Sequence, residues 1–172
     1  MHSPALVGKE LEFTDHYIKL LFAPEGADYA WPFDVARIRE QQPREKHPIT
    51  RTYTLINLDP KTGDFDVDFV THGDAGLAAP WARAAEVGEK LGFLGPGGAW
   101  RPAADYEHFV LAGDESAAPA ISAGLKHLPA GATATAYIEI EADDRTFDLP
   151  TREGVEVNWV VRNGATHGTE LS

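Results

Sequence analysis

Arg51, Tyr53 and Thr54 fall within the run Arg-Thr-Tyr-Thr. Arginine presents a forked cation that suits phosphate, tyrosine a flat face for a ring, and threonine a hydroxyl able to bond a ring heteroatom. Together they are the parts needed to hold a flavin by its ring and its pyrophosphate. The same residues equally make a plain strand with a surface arginine and a packed tyrosine, and a motif this short does not separate the two. A second set lies in Gly73-Asp74-Ala75-Gly76-Leu77-Ala78-Ala79-Pro80-Trp81-Ala82. Small side chains at a helix start let backbone N–H groups approach a phosphate closely; a capped connector helix explains them as well. Trp81 is either a cover for a ring or a core anchor.

These residues need elements to position them. Residues 17–22, Tyr-Ile-Lys-Leu-Leu-Phe, read as a strand interrupted by Lys19, which is either an outward edge charge or a cation facing a ligand cleft. Residues 51–59 suit a strand, 59–63 (Asp-Pro-Lys-Thr-Gly) carry turn chemistry, and 65–69 alternate Phe, Val and Phe with acids, so 51–73 is expected to be a β-hairpin. The proline-rich stretch 23–50 is a long connection with a short helix expected over 33–42. Pro80 sits near a helix start and Gly88 is placed to end that helix. A strand over 90–94 is expected to end in Gly95-Pro96-Gly97-Gly98, a sharp turn that forms a domain boundary. Residues 1–6 are expected to be a loose end.

The second half has a different period. A buried-type strand over 108–112 leads through Gly113-Asp114-Glu115-Ser116 to a helical run over 120–128 stopped by Pro129, and strands follow at 133–141 and 155–162. Strand, glycine-containing turn, helix and strand describe a βαβ unit with a parallel sheet and a ligand at its carboxyl edge. The chain therefore reads as an antiparallel β domain over 1–98 followed by an α/β domain over 99–172.

Composition excludes several functions. The formal net charge of −12 argues against nucleic acid or an anionic membrane surface as a main partner. With no cysteine, disulfides, thiolate catalysis and cysteine-ligated iron–sulfur clusters are ruled out. The seven histidines show no metal-ligand spacing, so no metal site is expected. No apolar run is long enough to span a bilayer and no secretory segment is visible, so membrane insertion is not expected and a cytoplasmic location is.

Taken in order, Tyr17-Ile18-Lys19-Leu20-Leu21-Phe22, Arg51-Thr52-Tyr53-Thr54, Asp68-Phe69-Val70-Thr71-His72-Gly73, Pro80-Trp81-Ala82, Gly95-Pro96-Gly97-Gly98, Gly113-Asp114-Glu115-Ser116-Ala117-Ala118-Pro119-Ala120-Ile121 and Val157-Asn158-Trp159-Val160-Val161-Arg162 resemble the siderophore-interacting proteins. These are flavin-dependent ferric-siderophore reductases of the ferredoxin-reductase-like superfamily, and the resemblance covers about residues 15–162. It implies an incomplete antiparallel split β-barrel that binds FAD, followed by a Rossmann-like α/β nicotinamide domain, short at its C-terminal end.

On that resemblance Arg51 holds the FAD phosphates, Tyr53 faces the isoalloxazine ring and Thr54 bonds near flavin N5. Val70, His72 and Gly73 line the cofactor, and Ala78, Ala79, Trp81 and Ala82 form the pyrophosphate-binding turn. Gly113, Asp114 and Ser116 sit where the nicotinamide of NADPH or NADH approaches, and Lys19 and, by position, Arg101 contact the anionic siderophore. The expected activity passes electrons from NAD(P)H through FAD to Fe(III)-siderophore, releasing iron. No nucleophile is needed, because the flavin carries the chemistry. The chain departs from the family pattern at Ile56, where a second arginine is common, and at Ala79, where a hydroxyl is common. It also looks short at both ends, which makes FAD or anion binding without turnover, or action only as a homo-oligomer, the alternative.

Overall fold

The computed structural model describes residues 1–71 and 76–171. By compactness the chain divides into two units: Met1–His16, Thr54–Asp68 and Gly98–Ser172 make one, and Tyr17–Tyr53 and Phe69–Gly97 the other. Among the described residues the strands form three sheets, and none closes on itself.

The unit that begins at Tyr17 is built on strand β1 (Tyr17–Phe22), flanked by β2 (Ile49–Thr54) and β5 (Gly92–Gly97). Ile18, Leu20, Leu21 and Phe22 are buried while Lys19 is exposed, so β1 is a core strand with one outward cation. β5 runs antiparallel to β1, and its register gains one residue between Leu94 and Gly97. That extra residue falls at Gly95-Pro96, where Gly95 has φ 117. Proline lacks an N–H and is tolerated in a strand where the ladder is interrupted. The expected sharp turn is therefore a bulge inside β5. Gly92 is buried, and the indole of Trp31 lies where its Cβ would be.

Helix α1 (Val35–Gln41) answers to the helix expected over 33–42. Asp34 caps it, accepting from Ala36 N–H at 2.9 Å and Arg37 N–H at 3.1 Å. Helix α2 (Ala78–Ala84) stops at its Ala85 C-cap, before Gly88, so the expected glycine stop is not what ends it. The Trp81 indole takes part in the exit, donating to Glu89 Oε1 at 3.0 Å.

In the other unit, β3 (Ile56–Asp59) and β4 (Asp64–Asp66) form the hairpin expected around Pro60 and Gly63, but it is shorter than expected. β2 belongs to a different sheet, the strand breaks at buried Leu55, and 67–69 are not strand. The pairs Ile56↔Asp66 and Asp59↔Asp64 leave one extra residue on β3, and Asn57 turns to φ 52 there, bonding Asp66 at 2.9 Å.

The expected loose end is instead tied down. Ser3 N–H donates to the Gly63 carbonyl at 2.9 Å, Phe65 N–H to the Met1 carbonyl at 3.0 Å, and Leu6 is 1% exposed. Gly63 has φ 80, and a Cβ there would overlap the Ser3 carbonyl, so the turn and the strap both require glycine.

The same unit contains the parallel sheet β6 (His108–Asp114), β7 (Thr133–Ile140) and β8 (Val155–Val161), in the order β6-β7-β8. Helix α3 (Ala118–Lys126) connects β6 to β7, giving the expected βαβ unit. Ile121, Leu125 and Leu128 pack against Phe109, Ala134, Ala136, Ile138 and Ile140, so one sheet face is core. β6 is less buried than expected. Phe109 faces α3, whereas Val110 is 66% exposed on the opposite side, with Tyr137 of β7 beside that row. Among the described residues no helix is long and apolar enough to cross a membrane.

Candidate functional site

β2 carries Arg51 and Tyr53 with the same parity, which puts both on one face of the strand; Thr54, the last strand residue, has the opposite parity. Arg51 is exposed and donates one Nη1–H to the Thr50 carbonyl at 2.9 Å. Among the described residues no carboxylate pairs with it. Tyr53 is half-buried. Burial raises its phenol pKa and the Arg51 charge draws it back in part, so the hydroxyl remains a proton donor at neutral pH.

The Tyr53 ring lies 4.5 Å from that of Phe69, Phe69 lies 6.1 Å from Trp81, and Trp81 meets Phe22 edge-on at 6.1 Å. This aromatic row joins β2 to α2. The sequence pointed to Tyr53 and Trp81 as site residues, whereas Phe69, quoted only within a longer matched run, alternates with acids and looked like an ordinary strand residue. Val70, half-buried, follows it, while His72 and Gly73 lie outside the described residues. At α2, Leu77 gives no side-chain acceptor to the first turn; Ala78 is buried, Ala79 and Ala82 half-buried.

An exposed guanidinium, a half-buried phenol tilted against a second ring, and a helix start lined by alanines are groups of the kinds that a flavin and its diphosphate engage. Lys19 is exposed on β1, its Nζ 5.8 Å from the Tyr17 ring centroid. These residues belong to the unit of β1, β2, β5 and α2. Thr54, Arg101, Gly113, Asp114 and Ser116 belong to the other.

In that other unit the end of β6 forms a tight turn into α3. A Cβ on Gly113 would overlap the Ala117 methyl, so only glycine lets the strand and the helix start come this close. Asp114 Oδ1 accepts from Ser116 N–H at 2.9 Å, Ser116 Oγ–H at 2.6 Å and Ala117 N–H at 3.2 Å. Burial raises its pKa, but these bonds and the charge of His167 outweigh that, and the carboxyl sits below its usual range. Asp114 thus ties down the Ser116 and Ala117 amides of the turn that precedes α3. Arg101 is exposed in the irregular segment that precedes β6.

The sequence did not point to the ion cluster behind this turn. Arg162 holds Glu115 through Nη2–H to Oε1 at 2.6 Å and Nη1–H to Oε2 at 2.8 Å, and reaches Glu139 Oε1 at 3.2 Å. Glu139, fully buried on β7, also accepts Gly168 N–H at 2.9 Å. Burial pushes Glu115 up, but the Arg162 bonds and backbone N–H groups, that of Glu141 among them, hold it below its usual value. Charged residues inside the apolar runs 133–141 and 155–162 were the available signal. Asp114, Glu115 and His167 offer ligand atoms within 4.8 Å of one another, with the Arg162 cation against Glu115.

The open β sheets followed by a parallel α/β unit have the architecture of ferredoxin–NADP⁺ reductases. The enzyme from Plasmodium falciparum aligns over 93% of this chain and 63% of its own at TM-score 0.59 and 11% identity, which shows the fold alone. Residues 1–100 match the model of the siderophore-interacting FAD-binding domain and 106–172 that of the siderophore-interacting protein. The chain belongs to the siderophore-interacting protein family.

A siderophore utilization protein from T. fusca is 31% identical at TM-score 0.75, over 98% of this chain and 64% of that one. An uncharacterised Mycobacterium tuberculosis protein is 40% identical over 89% of this chain and 55% of its own length. The ferric vibriobactin reductase of Vibrio cholerae is 32% identical over 81% of this chain and 47% of its own. The chain thus spans about half the length of the curated relatives it matches.

Proposed function

We propose that this chain is the FAD-binding and nicotinamide-accepting part of a ferric-siderophore reductase, with residues 1–98 the flavin domain and 99–172 the nicotinamide domain. The observation that carries the reading is the pairing of an exposed Arg51, which no carboxylate among the described residues engages, with half-buried Tyr53 on one strand face, backed by Phe69 and Trp81. Arg51 neutralises the FAD diphosphate, assisted by the backbone of Ala78, Ala79, Trp81 and Ala82. Tyr53 covers the ring, Thr54 bonds its edge, and Val70, His72 and Gly73 complete the wall. Bound FAD supplies the exchange between two-electron donors and one-electron acceptors that reduction of Fe(III) by NADPH or NADH requires. Gly113, Asp114 and Ser116 receive the nicotinamide end, and Lys19 and Arg101 draw the anionic ferric siderophore. The reaction belongs in the cytoplasm, where NAD(P)H is supplied.

The first test is spectroscopic. Purified protein incubated with FAD should retain an oxidised-flavin spectrum through gel filtration, and Arg51→Ala should weaken that retention about ten-fold or more while Lys19→Ala leaves it unchanged. Equal affinities in the two variants would contradict the placement of Arg51. No flavin uptake by the parent protein would remove the reading. The matched length, about half that of the relatives, favours a second reading: FAD binding without turnover, or turnover only as a homo-oligomer. Flavin that binds normally but is reduced by neither nicotinamide selects it.

A further inference from the structure

The choice between NADH and NADPH can be argued from the carboxyl edge of β7, and this inference rests on reading β6–β8 as a nicotinamide domain. In a doubly wound sheet the dinucleotide crosses the carboxyl ends of the strands. An acid beyond the second strand bonds the adenosine ribose 2′-hydroxyl, and an arginine there accommodates a 2′-phosphate instead. β6, α3 and β7 are the first strand, helix and second strand of such a unit.

The residue that follows β7 is Glu141, an exposed carboxylate. The parallel register pairs Asp114 with Glu139, so the end of the second strand lies beside the turn after the first. Glu139 cannot take the reading role, because it is fully buried and engaged with Arg162 and Gly168. Beyond Glu141 stand Asp143 and Asp144, and the one cation of the segment 141–145, Arg145, lies 3.7 Å from Asp144 Oδ1. Three carboxylates against one guanidinium leave that segment at −2. The Ser116 and Ala117 amides of the turn before α3 are taken by Asp114, and the Arg162 guanidinium is held by Glu115 and Glu139. A 2′-phosphate would add up to two further negative charges here.

We propose that Glu141 is the specificity-determining residue of this edge: its carboxylate accepts the ribose hydroxyl and repels a 2′-phosphate, so that NADH rather than NADPH is the electron donor. At an exposed edge the like-charge penalty is modest and screened, which sets the preference at about ten-fold in low salt, shrinking as salt is raised.

The test uses the FAD-loaded protein and calorimetric titration with ADP-ribose and with 2′-phospho-ADP-ribose, neither of which reacts. ADP-ribose should bind about ten-fold more tightly. Glu141→Gln keeps an acceptor for the hydroxyl but removes the charge, so it should hold ADP-ribose affinity within about three-fold while tightening the 2′-phosphorylated ligand. Glu141 is exposed, so both proteins should melt at the same temperature. Equal or tighter binding of the 2′-phosphorylated ligand by the parent protein overturns the proposal. A parent preference that Glu141→Gln leaves unchanged overturns the assignment to this residue. Failure of both ligands to bind overturns instead the reading of β6–β8 as a nicotinamide domain.

Discussion

Replacing Arg162 by methionine removes the one cation that, among the described residues, is paired with Glu115 and Glu139. The three side chains are 5%, 15% and 0% exposed respectively, so neither carboxylate can recover full hydration once the guanidinium is gone. Breaking a buried pair from one side costs about 3–5 kcal/mol. Against a total stability of about 5–15 kcal/mol, that is a large share. For a chain of this length it corresponds to a fall of roughly 6–20 °C in Tm.

The assay is urea unfolding followed by tryptophan fluorescence, with a lower midpoint and an unchanged slope. Neutralising the stranded acids, by adding Glu115→Gln and Glu139→Gln to Arg162→Met, should recover most of the loss. The pH dependence supplies a second check. In the parent, Glu115 titrates below its unfolded value, so its contribution is full above about pH 4.5 and is lost as pH falls through the lower folded value. In Arg162→Met the Glu115 carboxyl, partly buried and without its guanidinium, should titrate above the unfolded value, so folding is penalised most at neutral pH and the penalty fades as pH falls. The gap between the two proteins should therefore narrow between pH 7 and pH 4. A loss below about 1 kcal/mol, or a gap that does not narrow, would refute the reasoning.

Two further substitutions probe the scaffold. Gly92→Ala puts a methyl where the Trp31 ring lies, so it should cost about 1–3 kcal/mol and shift the tryptophan emission; parent-like stability and spectrum would show that Trp31 does not rest on β5. Leu6→Ala should cost about 2–5 kcal/mol in urea unfolding if residues 1–7 are a packed strap, and close to nothing if they are loose.

What the sequence made legible was local. β1 and β7 were visible because their apolar residues are strand formers with charges at the right parity, and α3 because helical spacing ends at Pro129. The parallel sheet followed from the order of elements alone. Features that depend on a distant partner were not legible. The strap at Ser3 needs Gly63, the bulge at Gly95-Pro96 needs the register against β1, and Phe69 matters because Tyr53 and Trp81 flank it. For the candidate site, the identities of Arg51 and Tyr53 were readable, while the setting of Glu115, Glu139 and Arg162 required three segments to be seen together.

The unit holding the parallel sheet is assembled from three stretches of chain, with the β1–β2 and α2–β5 stretches emerging between them. During synthesis its first stretch, including Leu6, leaves the ribosome long before β8 exists. Its compact form therefore waits on β8, whereas the unit of β1, β2 and β5 is complete once Gly97 has emerged. A stop codon between Gly97 and β8 would accordingly spare the latter unit and leave the former as unburied, protease-sensitive segments.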